Sequence, residues 1–364
     1  MHGITYEGSI KIKTPKAEKI SKEMQVFYNP IMGLNRDISV LVLNSISKKD
    51  MQIADPLAAT GVRSIRFLKE LTKNKIKTIY INDCDKNAVK LIKENLKLNN
   101  VKYKNNKKII IKSDRIKASG KLKNKVFLGN DDANLFLLKS AGFDYIDIDP
   151  FGTPNPFLDA ACKRIARGGI LAVTATDTSA LCGAFPKACL RKYWAMPKKD
   201  TMMHETGLRI LIRKIQLVAS QCDKALTPIF SYSKEHYMRV FFRSDKGKGK
   251  VDEILKQHGY CNEAGPLWIG NLWDKKLANR IYKNTLKNKT FSNNKELINF
   301  LKIIKEESKI NSVGFYDLHD ICEKNKIKHL QKKDRIINQI KKLGYQATDT
   351  HFKWEGIRSN IPLN

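Results

Sequence analysis

The sequence predicts an α/β fold: a Rossmann-like sheet ending in an antiparallel hairpin, followed by a smaller α+β domain. Three observations carry this. From Met51 to Thr174, short apolar runs alternate with helical patterns. The first four strand runs end in polar signatures, at Asp55, Asp83, Asn130-Asp131-Asp132 and Asp149. Two further strand-like runs, Pro228–Ser233 and His236–Arg243, then follow with no helix between them. Five βα units closed by a hairpin suit a class I methyltransferase sheet better than a dehydrogenase.

Taken in order, residues 4–13 alternate like an edge strand or hairpin, and Pro15 to Gln25 reads as a basic helical lead-in. Asp37 to Ile46 is apolar enough for a buried helix. Met51–Asp55 is the first strand and Val62–Leu71 the first helix of the alternation. Thr78–Asn82 is the second strand; Asp85 caps the helix Lys86–Leu98, whose Ala88, Leu91, Ile92 and Leu96 share a face. Lys125–Gly129 and Phe143–Asp149 are the third and fourth strands. Asn155-Pro156 opens a helix Phe157–Ala166, which Gly168-Gly169 is expected to stop before a fifth strand, Ile170–Thr174. Glu205–Cys222 is a strong amphipathic helix. The Gly/Lys-rich segment Lys246–Lys250 is the expected boundary between a domain at 1–245 and one at 246–364. In the second, helices at Lys295–Glu307, Phe315–Glu323 and Lys333–Leu343 precede a hairpin at Tyr345–Trp354, a winged-helix-like order.

Composition bounds the partner. Lys plus Arg number 68 against 36 Asp plus Glu, a formal charge of +32. Small neutral metabolites give no reason for such an excess, and a polyanion does. The excess is shared: residues 246–364 hold 24 Lys/Arg against 13 acids. Between Lys102 and Lys125 lie ten Lys/Arg and one acid, Asp114, around a strand-like Lys108–Ile111, the pattern of an inserted basic hairpin. No apolar run approaches the ~20 residues of a membrane span. Seven cysteines form no Cys-x-x-Cys pair, which points to reduced thiols in the cytoplasm with no disulfide framework.

The strand ends describe a ligand. After the first strand, Asp55-Pro-Leu-Ala-Ala-Thr-Gly61-Val-Arg63 is a turn of small residues without the Gly-x-Gly-x-x-Gly a dinucleotide pyrophosphate needs. An arginine there suits a carboxylate. Asp83 follows the second strand, where a carboxylate accepts ribose hydroxyls. Asp132-Ala133 follows the third, where an acceptor meets an adenine amino group. Carboxylate grip, ribose acid and adenine acceptor together describe S-adenosylmethionine, although Asp83 or Asp85 taken alone also reads as a helix cap.

Asp149-Pro150-Phe151-Gly152 is the sharpest motif. An exocyclic base amine has its lone pair delocalised into the ring. A carboxylate from Asp149 and the Pro150 carbonyl, accepting its two N–H bonds, would redirect that pair, with Phe151 holding the base by stacking. Asp147 shares a strand face with Asp149 by period-two spacing and reads equally as a structural hydrogen-bonder.

Together, Val26-Phe-Tyr-Asn-Pro30, Asn35-Arg-Asp37, Asp149-Pro-Phe-Gly152, Thr174-Ala-Thr-Asp177, His204-Glu-Thr-Gly-Leu-Arg209, His236-Tyr-Met-Arg239, Gly265-Pro-Leu-Trp268 and Thr350-His-Phe352 resemble the tRNA guanine-26 N2-dimethyltransferases over nearly the whole chain. The resemblance implies methylation of guanine N2 in tRNA, once or twice, from S-adenosyl-L-methionine. It implies Arg36, Arg63, Asp83, Asp132 and Ala133 at the cofactor, Asp149 as amine acceptor, and Phe27 and Phe151 sandwiching the target base. It also implies a C-terminal domain that helps hold tRNA. Many relatives carry a cysteine cluster before Gly-Pro-Leu-Trp; here that stretch has only Cys261, so no zinc is expected. A monomer is expected. The alternatives are methylation of another exocyclic amine in RNA and a non-catalytic tRNA-binding protein.

Overall fold

The structure, a computed structural model, describes residues 2–15, 24, 26–105, 125–327 and 329–362. The expected lead-in helix at Pro15–Gln25 and the basic hairpin of the Lys102–Lys125 stretch lie largely outside the described residues.

The chain opens with a hairpin, β1 (His2–Glu7) and β2 (Ile10–Pro15), and then a buried helix, α1 (Gly33–Ser45). The alternation follows as β3 (Met51–Asp55), α2 (Val62–Glu70), β4 (Ile76–Asn82), α3 (Lys86–Leu98), β5 (Lys104–Asn105), β6 (Lys125–Gly129), α4 (Ala133–Leu138), β7 (Phe143–Ile148), α5 (Asn155–Arg164) and β8 (Ile165–Ala175). Three helices, α6 (Thr178–Leu181), α7 (Pro186–Tyr193) and α8 (Met203–Ser220), lead to β9 (Lys224–Lys234) and β10 (Tyr237–Lys246).

The main sheet has the order β5-β6-β4-β3-β7-β8-β10-β9. Its pairings from β5 to β8 are parallel, and β10 runs antiparallel to both β8 and β9. The closing hairpin is therefore threaded out of chain order: its second strand, not its first, meets the parallel sheet. Sequence neighbours β3 and β4 pair on one side while β7 pairs on the other, so the order reverses at β3, where α/β sheets hold ligands at the strand carboxyl ends.

The expected stop at Gly168-Gly169 is wrong. The helix ends at Arg164 and β8 begins at Ile165, with both glycines inside the strand. The β7–β8 register shifts there, from Phe143↔Ile165 to Tyr145↔Ile170, so the glycines serve a bulge rather than a cap.

The N-terminal hairpin is fastened by side chains that imitate a strand edge. Asn95 on α3 and Asn99 at its C-cap, one turn apart, each accept a backbone N–H and donate to a backbone carbonyl of β2, at Lys13 and Lys11. This docking carries Glu7 into the wall of the site.

Beyond β10 come α9 (Lys248–Leu255), the hairpin β11 (His258–Cys261) and β12 (Ala264–Trp268), then α10 (Lys275–Lys287) and α11 (Lys295–Glu307). The chain ends in β13 (Tyr316–Asp317), α12 (Leu318–Lys324), α13 (Lys333–Lys342), β14 (Ala347–Asp349) and β15 (Gly356–Ser359), in the sheet order β13-β15-β14. This is the winged-helix order, but the terminal hairpin falls after the expected Tyr345–Trp354: residues around Trp354 form its loop, and β15 supplies the second strand. The main core runs from Ile10 to Phe352, while Leu318, Ile337, Ala347 and Ile357 form a small core of their own. Buried ions join the two ends: Arg358 pairs with Glu205 at 2.6 Å and with Glu307 at 2.9 Å, and Arg209 pairs with Glu205 at 2.8 Å. Thr350 Oγ1 donates to Glu307 at 2.6 Å. The His204–Arg209 and Thr350–Phe352 motifs thus supply residues to this joint.

Candidate active site

At the strand reversal lies a cleft of about 390 Å³, within the usual range for small-molecule sites. Phe27, Arg36, Arg63, Asp149, Pro150 and Phe151 all line it. Residues far apart in sequence meet here because α1 starts, β3 and β7 end, and the β9–β10 turn bends at the same edge of the sheet.

The turn after β7 is rigidly presented. Gly152 has φ +83°, a left-handed conformation that favours glycine. Its N–H donates to Thr176 Oγ1 at 2.6 Å, and the Thr176 N–H donates back to the Gly152 carbonyl at 2.9 Å. Phe151 is left 57% exposed, an unusual position for a large apolar ring. Its ring meets Phe27 edge-on, with centroids 5.7 Å apart and planes at 72°. A base entering between them requires one ring to swing.

Beneath the turn is a buried charge network. Arg63 Nη2 donates to Asp149 Oδ2, and its Nη1 donates to Ser39 Oγ at 2.8 Å and lies 3.5 Å from Asp147 Oδ2. Arg239 reaches both oxygens of Asp147, at 2.9 and 2.7 Å, and Tyr145 donates to Asp147 as well. Burial alone would raise the Asp147 carboxyl, but Arg239 and Arg63 outweigh it and hold it below the usual range. Asp147 is thus a buried structural hydrogen-bonder, and Arg63 links it to Asp149. Asp149 Oδ1 and the Pro150 carbonyl accept no hydrogen bond among the described residues.

Arg36 is held by Glu7: Nε and Nη2 reach Oε1 and Oε2, both at 2.6 Å, and Nη2 also reaches the Asn29 carbonyl at 3.0 Å. Its Nη1 makes no hydrogen bond among the described residues, and the guanidinium lies over the Tyr28 ring, 5.4 Å from its centroid. Burial pushes the Glu7 carboxyl up, yet Arg36 and Arg66 prevail and hold it low. The remaining predicted residues sit at neighbouring strand ends outside the cleft lining. Asp83 Oδ2 accepts the Ala59 N–H at 2.8 Å and Oδ1 that of Asp85 at 3.0 Å, so this acid shapes the small-residue turn. Asp132 caps α4, with Oδ1 accepting the Asn134 and Leu135 amides, and Ala133 is buried. Asp85 caps α3 as expected.

Sequence reasoning missed four contributors. Glu7 gave no signal, because a lone acid in an alternating strand reads as solvent-facing. Asp55, at the end of β3, is buried in the cleft floor, accepts from Ser64 at 2.7 Å, and is pushed up to about 7 by burial and the charge of Asp147. His236 and Tyr237 line the cleft from the β9–β10 turn, and their motif was legible but without a role. Neither side-chain amide atom of the buried Asn35, the neighbour of Arg36 on α1, has a hydrogen-bond partner among the described residues. Buried polar atoms left so beside a cleft fit a polar ligand.

The model of one protein family, described as N2,N2-dimethylguanosine tRNA methyltransferase, matches residues 8–264 and 261–364. The chain belongs to that family. Among its relatives, the tRNA (guanine(26)-N(2)/guanine(27)-N(2))-dimethyltransferase of Aquifex aeolicus is 39% identical, over 98% of this chain and 93% of that protein. The tRNA (guanine(26)-N(2))-dimethyltransferase of Pyrococcus abyssi is 37% identical over 98% and 95%. The solved structure of Trm1 from Pyrococcus horikoshii with S-adenosyl-L-methionine superposes with a TM-score of 0.85 at 35% identity, covering 99% of this chain and 97% of that one. As a family member the chain has the methyltransferase sheet expected from its sequence. Among the described residues no helix is long and apolar enough to cross a membrane, and no three His, Cys, Asp or Glu gather as a metal site.

Proposed function

We propose that this chain methylates the exocyclic N2 of guanine at position 26 of tRNA, with S-adenosyl-L-methionine as donor, giving N2-methyl- and N2,N2-dimethylguanosine. The observation that carries this is the pair of unengaged acceptors at one turn, Asp149 Oδ1 and the Pro150 carbonyl, beside the Phe27 and Phe151 rings. S-adenosylmethionine, when bound, supplies an activated methyl group on a sulfonium centre. Asp149 and Pro150 each accept one N–H of the amine and turn its lone pair out of the ring. Arg63 fixes Asp149 by its other oxygen, so the acceptor is aimed before substrate arrives. After one methylation a single N–H remains, and one acceptor suffices for the second round.

The open Nη1 of Arg36 makes that residue our choice for the donor's carboxylate. Arg63 is engaged with Asp149, Asp147 and Ser39. Asp83 is assigned to the ribose hydroxyls, and the open Oδ2 of Asp132 with Ala133 to the adenine. Position 26 lies at the junction of two tRNA arms, so reaching N2 costs about a few kcal/mol of unstacking, which the aromatic pair offsets. Residues 1–245 carry the chemistry and the basic residues 246–364 hold tRNA. The enzyme works as a monomer in the cytoplasm; seven free cysteines support a reducing compartment, and sedimentation tests the monomer.

The test is methyl transfer from labelled donor to an unmodified tRNA transcript and to a twin with adenine at position 26, with nucleoside analysis. N2-methylated guanosine from the first and no label in the second is expected. Label in both places the target elsewhere. Label in neither, with tRNA still bound, refutes the enzyme reading in favour of a binding protein.

A further inference from the structure

Helix α7 is bolted to the catalytic turn and shows a basic, aromatic face to solvent. Its buried side is Cys189 and Tyr193, one turn apart. The Tyr193 hydroxyl reaches Thr153 Oγ1 at 3.0 Å and Asp177 Oδ1 at 2.6 Å, and Asn155 Nδ2 donates to the Lys192 carbonyl at 2.8 Å. Thr153 directly follows Gly152, so the helix is fixed to the segment that presents Asp149, Pro150 and Phe151.

The outward stripe follows from helical spacing: Lys187, then Leu190 and Arg191, then Trp194 at the C-cap, with Phe185 at the N-cap. Phe185 is 63% exposed and Trp194 46%, and Lys214 Nζ sits over one face of the Trp194 ring, 2.8 Å from its centroid, so a base can stack only on the other face. Lys187 and Arg191 are exposed and pair with no carboxylate among the described residues. A merely solvated basic helix has no use for exposed rings at both ends, and a protein-docking patch disfavours unpaired cations at its centre. Single-stranded or distorted RNA calls for both, cations along the backbone and rings under the bases.

We infer that α7 is an RNA ledge. Lys187 and Arg191 hold phosphates, and Phe185 and Trp194 stack bases of the nucleotides flanking the extruded guanine. Flipping a base out leaves its neighbours without a stacking partner, and rings fixed beside the pocket replace what they lose. The inference rests on the tRNA-methylating reading above and names a surface of its substrate contact.

The test uses the full chain, an unmodified tRNA transcript, and two variants, Lys187→Glu/Arg191→Glu and Phe185→Ala. For each, tRNA affinity is measured across a salt series, alongside kcat, KM for tRNA, donor affinity and melting temperature. The charge variant should raise Kd for tRNA by about 10-fold or more and flatten the log–log salt slope by about 1.5, the sum of two lost phosphate contacts. Phe185→Ala should raise Kd by roughly 5- to 150-fold with its salt slope unchanged. Donor affinity and melting temperature should stay near wild type in both, so that the loss is read in Kd and KM for tRNA. A wild type that methylates while the charge variant keeps its Kd and slope overturns the ledge alone. A wild type that does not methylate the transcript overturns the functional reading, and the ledge with it.

Discussion

Removing the Arg239 guanidinium tests whether the buried network below the catalytic turn works as a unit. Arg239→Met keeps roughly the same volume and deletes both contacts to Asp147, at 2.9 and 2.7 Å, together with one to Thr174 at 2.9 Å. Asp147 is 1% exposed and Arg239 fully buried, so no water replaces the lost partner. Stranding one half of such a pair costs about 3–5 kcal/mol. Arg63, 3.5 Å from Asp147, limits the loss but does not remove it. For a chain of this size the melting temperature should fall by about 5–10 °C. Arg63, drawn toward the uncompensated Asp147, also loosens its grip on Asp149, so kcat should fall while donor affinity changes little. Replacing both partners, as Asp147→Leu with Arg239→Met, removes the stranded charge and should recover more than half of the lost stability. Calorimetric melting with single-turnover methylation reads both effects. A single variant within about 1 kcal/mol of wild type, or a double variant no more stable than the single, would refute the network.

Asp149→Ala should lower kcat by about 10²- to 10³-fold while donor affinity by titration calorimetry stays within a few-fold; equal loss of donor binding would show Asp149 to be a cofactor ligand instead. Asp55 gives a pH signature. Its folded pKa of about 7 lies above its ordinary 3.8, so between about pH 4 and 7 the folded state holds a proton that the unfolded chain releases, and stability falls as pH rises through that window. Asp55→Asn should flatten the fall, read by denaturant midpoints across pH; an unchanged slope would mean that Asp55 is ionised throughout.

Much of this was legible in local pattern. The strands Met51–Asp55 and Lys125–Gly129 and the helix Lys86–Leu98 coincide with their expected bounds, because hydrophobic period and caps are properties of a few neighbouring residues. The Asp149–Gly152 turn could be read because proline, glycine and a strand-terminal acid each limit the backbone locally. What local pattern misled was the Gly168-Gly169 pair, where two glycines mean a stop or a bulge depending on the strand alongside. It also missed α10 and the late terminal hairpin.

The sequence by itself determined the class of fold, the sign of the partner's charge and the residues at the strand ends, since all of these follow from composition and short-range periodicity. Only the tertiary structure decided which arginine serves which acid. Arg36 and Arg63 look alike in sequence, yet the first is held by Glu7 from a hairpin docked on α3, and the second by Asp149 and Asp147. Tertiary structure likewise decided that β10 lies between β8 and β9, which brings Arg239 onto Asp147 and Tyr237 into the cleft. Pairings across such sequence distances are set by strand order and desolvation, which leave no periodic trace along the chain.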